Sequence, residues 1–249
     1  MEKTEKKENR YGLLGKDISY SFSQGYFTQK FADLKLNDHS YENFDIPEIS
    51  EFEALVSQTH LKGLNVTIPY KELVIPYLDD LDSGAEKIGA VNTIKITENG
   101  LKGYNTDAYG FQKSIGPFLK PHHDKALILG TGGASKAIRF VLEELGIEYI
   151  YVSRTKKEHQ FTYKELDEEI ITSHTVVINC TPLGTFPNVT DKPSLPYQYL
   201  NDQHLLFDLI YNPLKTSFLA EGESKGSKIC NGLKMLKLQA EKSWEIWNS

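Results

Sequence analysis

The residues best placed for chemistry in this 249-residue chain begin with Gly130, Gly132 and Gly133. They follow the unbroken apolar run Ala126–Leu129, which reads as a strand buried on both faces. Beyond them Ala137, Ile138, Val141, Leu142 and Leu145 recur at helical spacing. The stretch is strand, glycine turn, helix. Glycines at such a turn allow backbone angles and close approach that a Cβ would block, so a pyrophosphate can sit on the amides of the helix N-terminus. The spacing approximates the dinucleotide fingerprint G-x-G-x-x-G/A, with Ser135 in the third position. There its hydroxyl can donate to a phosphate or cap the helix.

The next strand, Glu148–Ser153, runs into Arg154-Thr155-Lys156-Lys157. A fold that binds NAD uses an acidic side chain near this point to hold the ribose 2′-hydroxyl. Here a guanidinium stands instead, suited to a 2′-phosphate and to stacking on adenine. The sequence therefore favours NADP over NAD. A third apolar strand, Thr175–Cys180, ends in Pro182 and Gly184, and a fourth, His204–Ile210, runs into Tyr211-Asn212-Pro213. Turns at the carboxyl ends of such strands are where ligands bind in open α/β sheets.

Upstream, Lys71 follows the strand-like Leu61–Ile68 and Pro69, which fits the first position of a helix. A cation in a first helical turn opposes the helix dipole. It is either a solvated surface residue or a group kept for proton exchange. Asp107 lies just past a predicted hairpin, Val91–Thr97 with Leu101–Tyr104, whose turn carries Asn99-Gly100. As an N-cap it would start a helix; as a carboxylate it could serve acid–base chemistry. Asn92 sits at the start of the same hairpin. Ser21 and Ser23 precede the apolar stripe Phe22, Tyr26, Phe27, Phe31, Leu34, where serine caps a helix or two hydroxyls bind a carboxylate. Gln239 interrupts the C-terminal stripe of Met235, Leu236, Leu238, Ala240 and Trp244. It faces solvent or needs partners for its amide.

These elements make two α/β lobes. The first covers residues 1–106, with residues 1–10 as a disordered tail, and is rejoined by the C-terminal helix over 232–249. The second, 107–231, is a Rossmann-type, doubly wound nucleotide-binding domain, and the reaction belongs in the cleft between the lobes. A hydrophobic share of 39% supports a packed core. The net charge of −6 argues against nucleic acid or an anionic membrane, while leaving room for an anionic small substrate. Two cysteines, Cys180 and Cys230, are too few for a secreted disulfide scaffold and fit a reducing, cytoplasmic setting. The seven histidines show no metal spacing, and His122 and His123 read as solvated loop residues. No apolar run is long enough to span a membrane, and the charged start MEKTEKKENR has no apolar core and is not a secretory signal.

Taken in order, SYSFS, NVTIPYK, GAVNTI, NTDAYG, GTGGAS, SRT, NCTPLGT, DLIYNP and NGLKMLKLQA resemble the shikimate dehydrogenase family over nearly the whole chain after the tail. The resemblance implies an NADP-dependent oxidoreductase that reduces 3-dehydroshikimate to shikimate for aromatic amino-acid biosynthesis, as a monomer or homodimer with no metal. It implies Lys71 and Asp107 as the catalytic pair. Ser21, Ser23 and Tyr211 would hold the substrate carboxylate, and Thr67, Asn92, Asp107 and Gln239 the ring hydroxyls. Gly130, Gly132, Gly133, Ala134 and Ser135 would line the pyrophosphate, Ser153, Arg154 and Thr155 would hold the 2′-phosphate, and Gly232 would complete the cofactor site. Tyr20 and Gln24 depart from the family's His and Pro, Tyr104 from an acidic residue, and Ser153 from Asn. Alternative readings are a quinate/shikimate dehydrogenase with relaxed substrate or cofactor use, and a catalytically silent NADPH-binding regulator.

Overall fold

The computed structural model describes residues 8–18, 21–58 and 60–249. The chain divides into two compact units, residues 1–106 with 240–249 and residues 107–239, each with its own six-stranded sheet.

The first unit opens on β1 (Asn9–Gly15), α1 (Phe22–Asp33), β2 (His39–Asp45), α2 (Phe52–Val56) and β3 (Leu61–Val66). It continues with α3 (Tyr70–Leu73), β4 (Asp80–Leu81), α4 (Ser83–Ile88) and the hairpin β5 (Thr93–Thr97) and β6 (Gly100–Tyr104). The strand order is β2-β1-β3-β5-β6-β4. Strands β1, β2 and β3 run parallel, while β5 is antiparallel to both its neighbours. Alternation along β1 sends Tyr11 and Leu13 to an aromatic layer with Phe27, Phe31, Tyr41 and Trp247, and Leu14 to a layer with Leu64, Val66 and Phe52. Both faces of β1 are thus covered, which is why the strand lacks a polar stripe.

Strand β1 begins at Asn9, so residues 9 and 10 belong to the sheet rather than to a tail. The Arg10 guanidinium forks onto the Glu42 carboxylate at 3.0 Å on the neighbouring strand. Residues 1–7 lie outside the described set. The 49–57 segment is a 3-10 turn followed by α2, and Asp82 caps α4 by accepting from the Gly84 amide. Pro69 occupies the cap position of α3 rather than its first turn.

The second unit begins with α5 (Thr106–Ile115), whose first residue ends the first unit. Then come β7 (Lys125–Leu129), α6 (Gly133–Glu144), β8 (Glu148–Ser153), β9 (Gln160–Thr162), α7 (Glu168–Ser173) and β10 (Val176–Asn179). Strand β11 (Leu205–Asp208), α8 (Ser217–Ser224), β12 (Lys228–Cys230) and α9 (Leu233–Trp247) complete the chain. The order β9-β8-β7-β10-β11-β12 is parallel throughout, with the direction of winding reversing between β7 and β10. This is the doubly wound order of dinucleotide-binding folds. Every residue of β10 and β11 is buried, as the unbroken apolar runs required.

Strand β9 escaped the sequence reading because three residues are too few to show alternation. His123 is buried, not solvated: its ring takes the Lys120 amide and meets the Gln203 carbonyl, each near 3 Å. The return to the first unit falls at Ala240, within α9, rather than at Gly232. Among the described residues no helix is long and apolar enough to cross a membrane.

Candidate active-site residues and nucleotide turn

In the first unit the candidate residues gather at the carboxyl ends of β1 and β3. The Thr67 amide donates to the Leu14 carbonyl at 2.9 Å, and the Thr67 carbonyl accepts the first amide of α3. A Cβ on Gly15 would stand 2.6 Å from the Thr67 methyl, so these strand ends meet only because Gly15 has no side chain. Lys71 is the second residue of α3 and half-buried; its carbonyl accepts the Val91 amide at 2.7 Å. That bond ties α3 to the segment entering β5, where Asn92 lies.

Ser21 is the N-cap of α1: its hydroxyl oxygen accepts the Gln24 amide at 3.2 Å and its proton goes to Asn43 Oδ1 at 2.8 Å. Gln24, in place of the family's proline, supplies that amide, and its side-chain oxygen accepts from Asn43 Nδ2 at 3.3 Å. Tyr20, the other departure in this segment, lies outside the described residues. Ser23 is buried in the first turn of the helix, close to Tyr41. Burial pushes the Tyr41 phenol well up, and a hydrogen bond with Ser23 opposes that shift.

A buried polar chain then crosses the unit. Tyr41 donates to Asn65 Oδ1 at 2.8 Å, and Asn65 Nδ2 donates to the Ser243 hydroxyl at 2.9 Å and to the Asn92 carbonyl at 3.3 Å. Asn92 Oδ1 accepts the Thr106 amide at 2.7 Å, and its Nδ2 donates to Thr106 Oγ1 at 3.0 Å. Ser23 and Asn92 are thereby linked through groups that are all nearly free of solvent. Tyr41, Asn65 and Ser243 were not singled out from the sequence. Asn65 lay within a motif already noted, but an isolated serine in an apolar helical stripe gives no signal.

In the second unit Asp107 is buried in the first turn of α5, not at its cap. Gly110 lies one turn further on the same face. A Cβ there would approach the Met235 carbonyl to 2.7 Å and Gln239 Cβ to 3.2 Å. The glycine lets α5 lie against α9, bringing Asp107's helix beside Gln239, which is half-buried. Tyr211, also half-buried, follows β11. The Gly232 amide donates to the Ile210 carbonyl at 3.0 Å, and a Cβ on Gly232 would collide with the Leu209 carbonyl. Gly232 thus holds the start of α9 against the segment that carries Tyr211.

At the end of β7, Gly130 has φ +95°, and a Cβ there would stand 3.0 Å from the Thr181 methyl. Both its conformation and the neighbouring β10 turn call for glycine. Gly132 caps α6 without a side chain, and the first turn of Gly133, Ala134 and Ser135 has no acidic residue. No acidic side chain of that first turn opposes a phosphate at this helix N-terminus. The buried Ser135 hydroxyl donates to the Gly132 carbonyl at 2.7 Å, and Gly132 rather than Ser135 caps α6.

Beyond β8 the Ser153 hydroxyl donates to the Thr155 carbonyl at 2.5 Å, closing the loop around Arg154. Lys156 pairs with Glu165, whose carboxyl is held down to about 2 by that lysine and by the Thr162 amide and hydroxyl. Arg154 is exposed and forms no ion pair with a carboxylate among the described residues. A guanidinium with that freedom, one strand from the glycine turn, fits a 2′-phosphate, and the residues present therefore fit NADP. Among the described residues no cluster of three His, Cys, Asp or Glu side chains is arranged to hold a metal ion.

The family model described as the shikimate dehydrogenase substrate binding domain matches residues 13–94. The shikimate dehydrogenase (NADP(+)) of Clostridium beijerinckii is 38% identical over 247 residues, 95% of this chain and 91% of that protein. The crystal structure of shikimate dehydrogenase 1 from Peptoclostridium difficile is 40% identical with a TM-score of 0.84, covering 96% of this chain and 91% of that one. The Thermus thermophilus shikimate 5-dehydrogenase, solved in complex with NADP(H) and shikimate, is 31% identical with a TM-score of 0.83, covering 96% and 93%. With identity of this order sustained across both units, the chain belongs to the shikimate dehydrogenase family.

Proposed function

We propose that this protein is an NADP-dependent oxidoreductase of the shikimate pathway that interconverts 3-dehydroshikimate and shikimate. The observation that carries the reading is the pairing of two sets of residues. One is the Gly130 turn with an exposed Arg154 on the doubly wound sheet; the other is the Lys71, Asn92 and Ser21–Ser23 group at the strand ends of the first unit. Relatives that match over nearly the whole chain are named for this activity and this cofactor.

Bound NADPH supplies the hydride for the ketone. The Lys71 ammonium stabilises the charge that develops on the ketone oxygen and gives that oxygen its proton. Asp107 accepts a hydrogen bond from the neighbouring ring hydroxyl, and Thr67, Asn92 and Gln239 hold the remaining hydroxyls. Ser21 and Ser23, with Tyr211, donate to the substrate carboxylate. For this Ser21 turns its proton from Asn43 Oδ1 to the ligand, an exchange of one acceptor for a charged one. Arg154 takes the 2′-phosphate with Ser153 and Thr155, while Gly132, Gly133 and Ala134 offer backbone to the pyrophosphate. Free Cys180 and Cys230 suit a reducing cytosol.

The test is the spectrophotometric reduction of NADP⁺ with shikimate, run beside NAD⁺ and beside quinate. Fast turnover for NADP⁺ with shikimate alone is the expected result. Equal rates with quinate would move the reading to a relaxed quinate/shikimate enzyme. Tight NADPH binding without turnover on either acid would make the chain a silent NADPH-binding regulator.

A further inference from the structure

At the carboxyl edge of the second sheet, one buried carboxylate organises two turns. Asn179 and Asp208 are the last residues of β10 and β11 and stand opposite each other in register. Both are fully buried. Asp208 Oδ1 accepts Asn179 Nδ2 at 3.1 Å and the Ile210 amide at 3.0 Å, and Oδ2 accepts the Thr216 hydroxyl at 2.6 Å. A carboxylate only accepts, so Asn179 must turn its NH₂ toward Asp208. Its oxygen is then left for the turn beyond β10, where it accepts the Thr181 amide at 3.0 Å and the Thr181 hydroxyl at 2.7 Å. Thr181 in turn packs its methyl against Gly130 of the nucleotide turn. On the other side, the Ile210 amide held by Asp208 precedes Tyr211, and Thr216 is the N-cap of α8.

This arrangement is expensive to fold. Burial raises the Asp208 carboxyl to about 6, against the pull of its hydrogen bonds to Thr216, Ile210 and Asn179. A chain selected for stability alone would place an uncharged group here, and charged groups held against desolvation concentrate at functional sites. The strand order says which function. Arg154, beyond β8, puts the adenosine half of a dinucleotide on one side of the β7/β10 switch point. The other half then lies over the turns beyond β10 and β11, the two turns that Asp208 holds.

We propose that Asp208 is a positioning residue for the nicotinamide half of the cofactor site: through Asn179 it fixes the Thr181 turn, and through the Ile210 amide and Thr216 it fixes the Tyr211 turn. The proposal rests on the reading of this unit as an NADP-binding domain.

The test compares Asp208→Ala, which removes all three acceptor bonds, with Asp208→Asn, which keeps the shape and one acceptor oxygen. Thr216→Val, which removes one donor to Asp208 together with the α8 cap that the same hydroxyl gives the Leu219 amide, covers the case in which Asp208→Ala does not fold. For each, melting temperature, binding of 2′,5′-ADP, binding of NADP⁺ and kcat with shikimate are measured on the full chain. With Asp208→Ala we expect 2′,5′-ADP affinity within about twofold of wild type, NADP⁺ affinity weakened and kcat lowered at least about tenfold. Asp208→Asn should recover most of kcat, and Thr216→Val should lower kcat about threefold or more with 2′,5′-ADP binding unchanged. Wild-type kcat in Asp208→Ala or in Thr216→Val, or loss of 2′,5′-ADP and NADP⁺ binding in equal proportion, would overturn the proposal. Wild-type protein that binds both nucleotides but turns over no shikimate would sink the dehydrogenase reading alone. In that event the selective loss of NADP⁺ over 2′,5′-ADP in the variants still decides the role of Asp208.

Discussion

Asn92 holds Thr106 by two bonds at once: its oxygen takes the Thr106 amide at 2.7 Å and its nitrogen meets the Thr106 hydroxyl at 3.0 Å. Helix α5 therefore starts on a side chain that comes from the entry to β5, fourteen residues earlier in the chain. The residue after Thr106 is Asp107, so the same amide that is proposed to touch a ring hydroxyl also fixes where α5 begins.

Asn92→Ala should on this account damage two things. It leaves the buried Thr106 amide without an acceptor, at a cost of about 1–3 kcal/mol in stability, and it removes a hydroxyl contact, raising KM for shikimate. Urea denaturation and steady-state kinetics measure the two separately. A variant with unchanged denaturation midpoint would show that the Asn92–Thr106 bonds add nothing net.

Lys71→Ala should lower kcat roughly 10²- to 10⁴-fold, with a smaller change in KM, as for loss of a general acid. Pre-steady-state mixing of enzyme, NADP⁺ and shikimate would show whether the slow step is chemical. Near wild-type turnover would remove Lys71 from the mechanism.

Much of this site was legible before the fold was known. Strands β7, β10 and β11 announced themselves because both faces are buried and the sequence runs apolar without a break. The glycine turn was legible because Gly130 must adopt φ +95°, which few other residues tolerate. What stayed hidden depends on partners distant in sequence. Ser243 earns no notice until Asn65, far upstream, is found 2.9 Å away. Asp208 reads as one more turn residue until Asn179 and Thr216 converge on it. His123 looked like a solvated loop residue because its acceptor, the Gln203 carbonyl, is remote in sequence. Asp107 was misplaced by two residues: the helix begins at Thr106, whose amide is held by the Asn92 side chain, a partner distant in sequence.

Arg154→Ala should weaken NADPH far more than NADH. A charge-assisted contact to a 2′-phosphate is worth about 1.5–3 kcal/mol, or roughly 10- to 150-fold in affinity. Lys156 is a poor substitute because Glu165 already holds it. Fluorescence titration with each nucleotide measures the ratio, and equal losses for the two would mean that Arg154 does not read the 2′-phosphate.

Asp208 also predicts how stability varies with pH. Its folded-state pKa of about 6 lies above the ordinary 3.8, so between these values the folded protein binds more protons than the unfolded chain. The stability linked to this group is therefore fully present below the unfolded value and is lost as pH rises through the folded one, by ~3 kcal/mol in total. The ionisable groups that face it, the Cys180 thiol and the Tyr197 phenol, are both pushed up by burial and stay neutral across that range. Asp208→Asn cannot ionise. Its stability relative to wild type should be close to zero near about pH 4 and should rise by ~2–3 kcal/mol toward about pH 7.5, because only the wild type goes on to bury a charge. Denaturant melts of both proteins across that interval isolate the effect, since every other group titrates alike in the two. A difference that stays flat with pH would mean that the Asp208 carboxyl ionises as readily inside the fold as in the unfolded chain, and that its three donors fully replace the water it has lost.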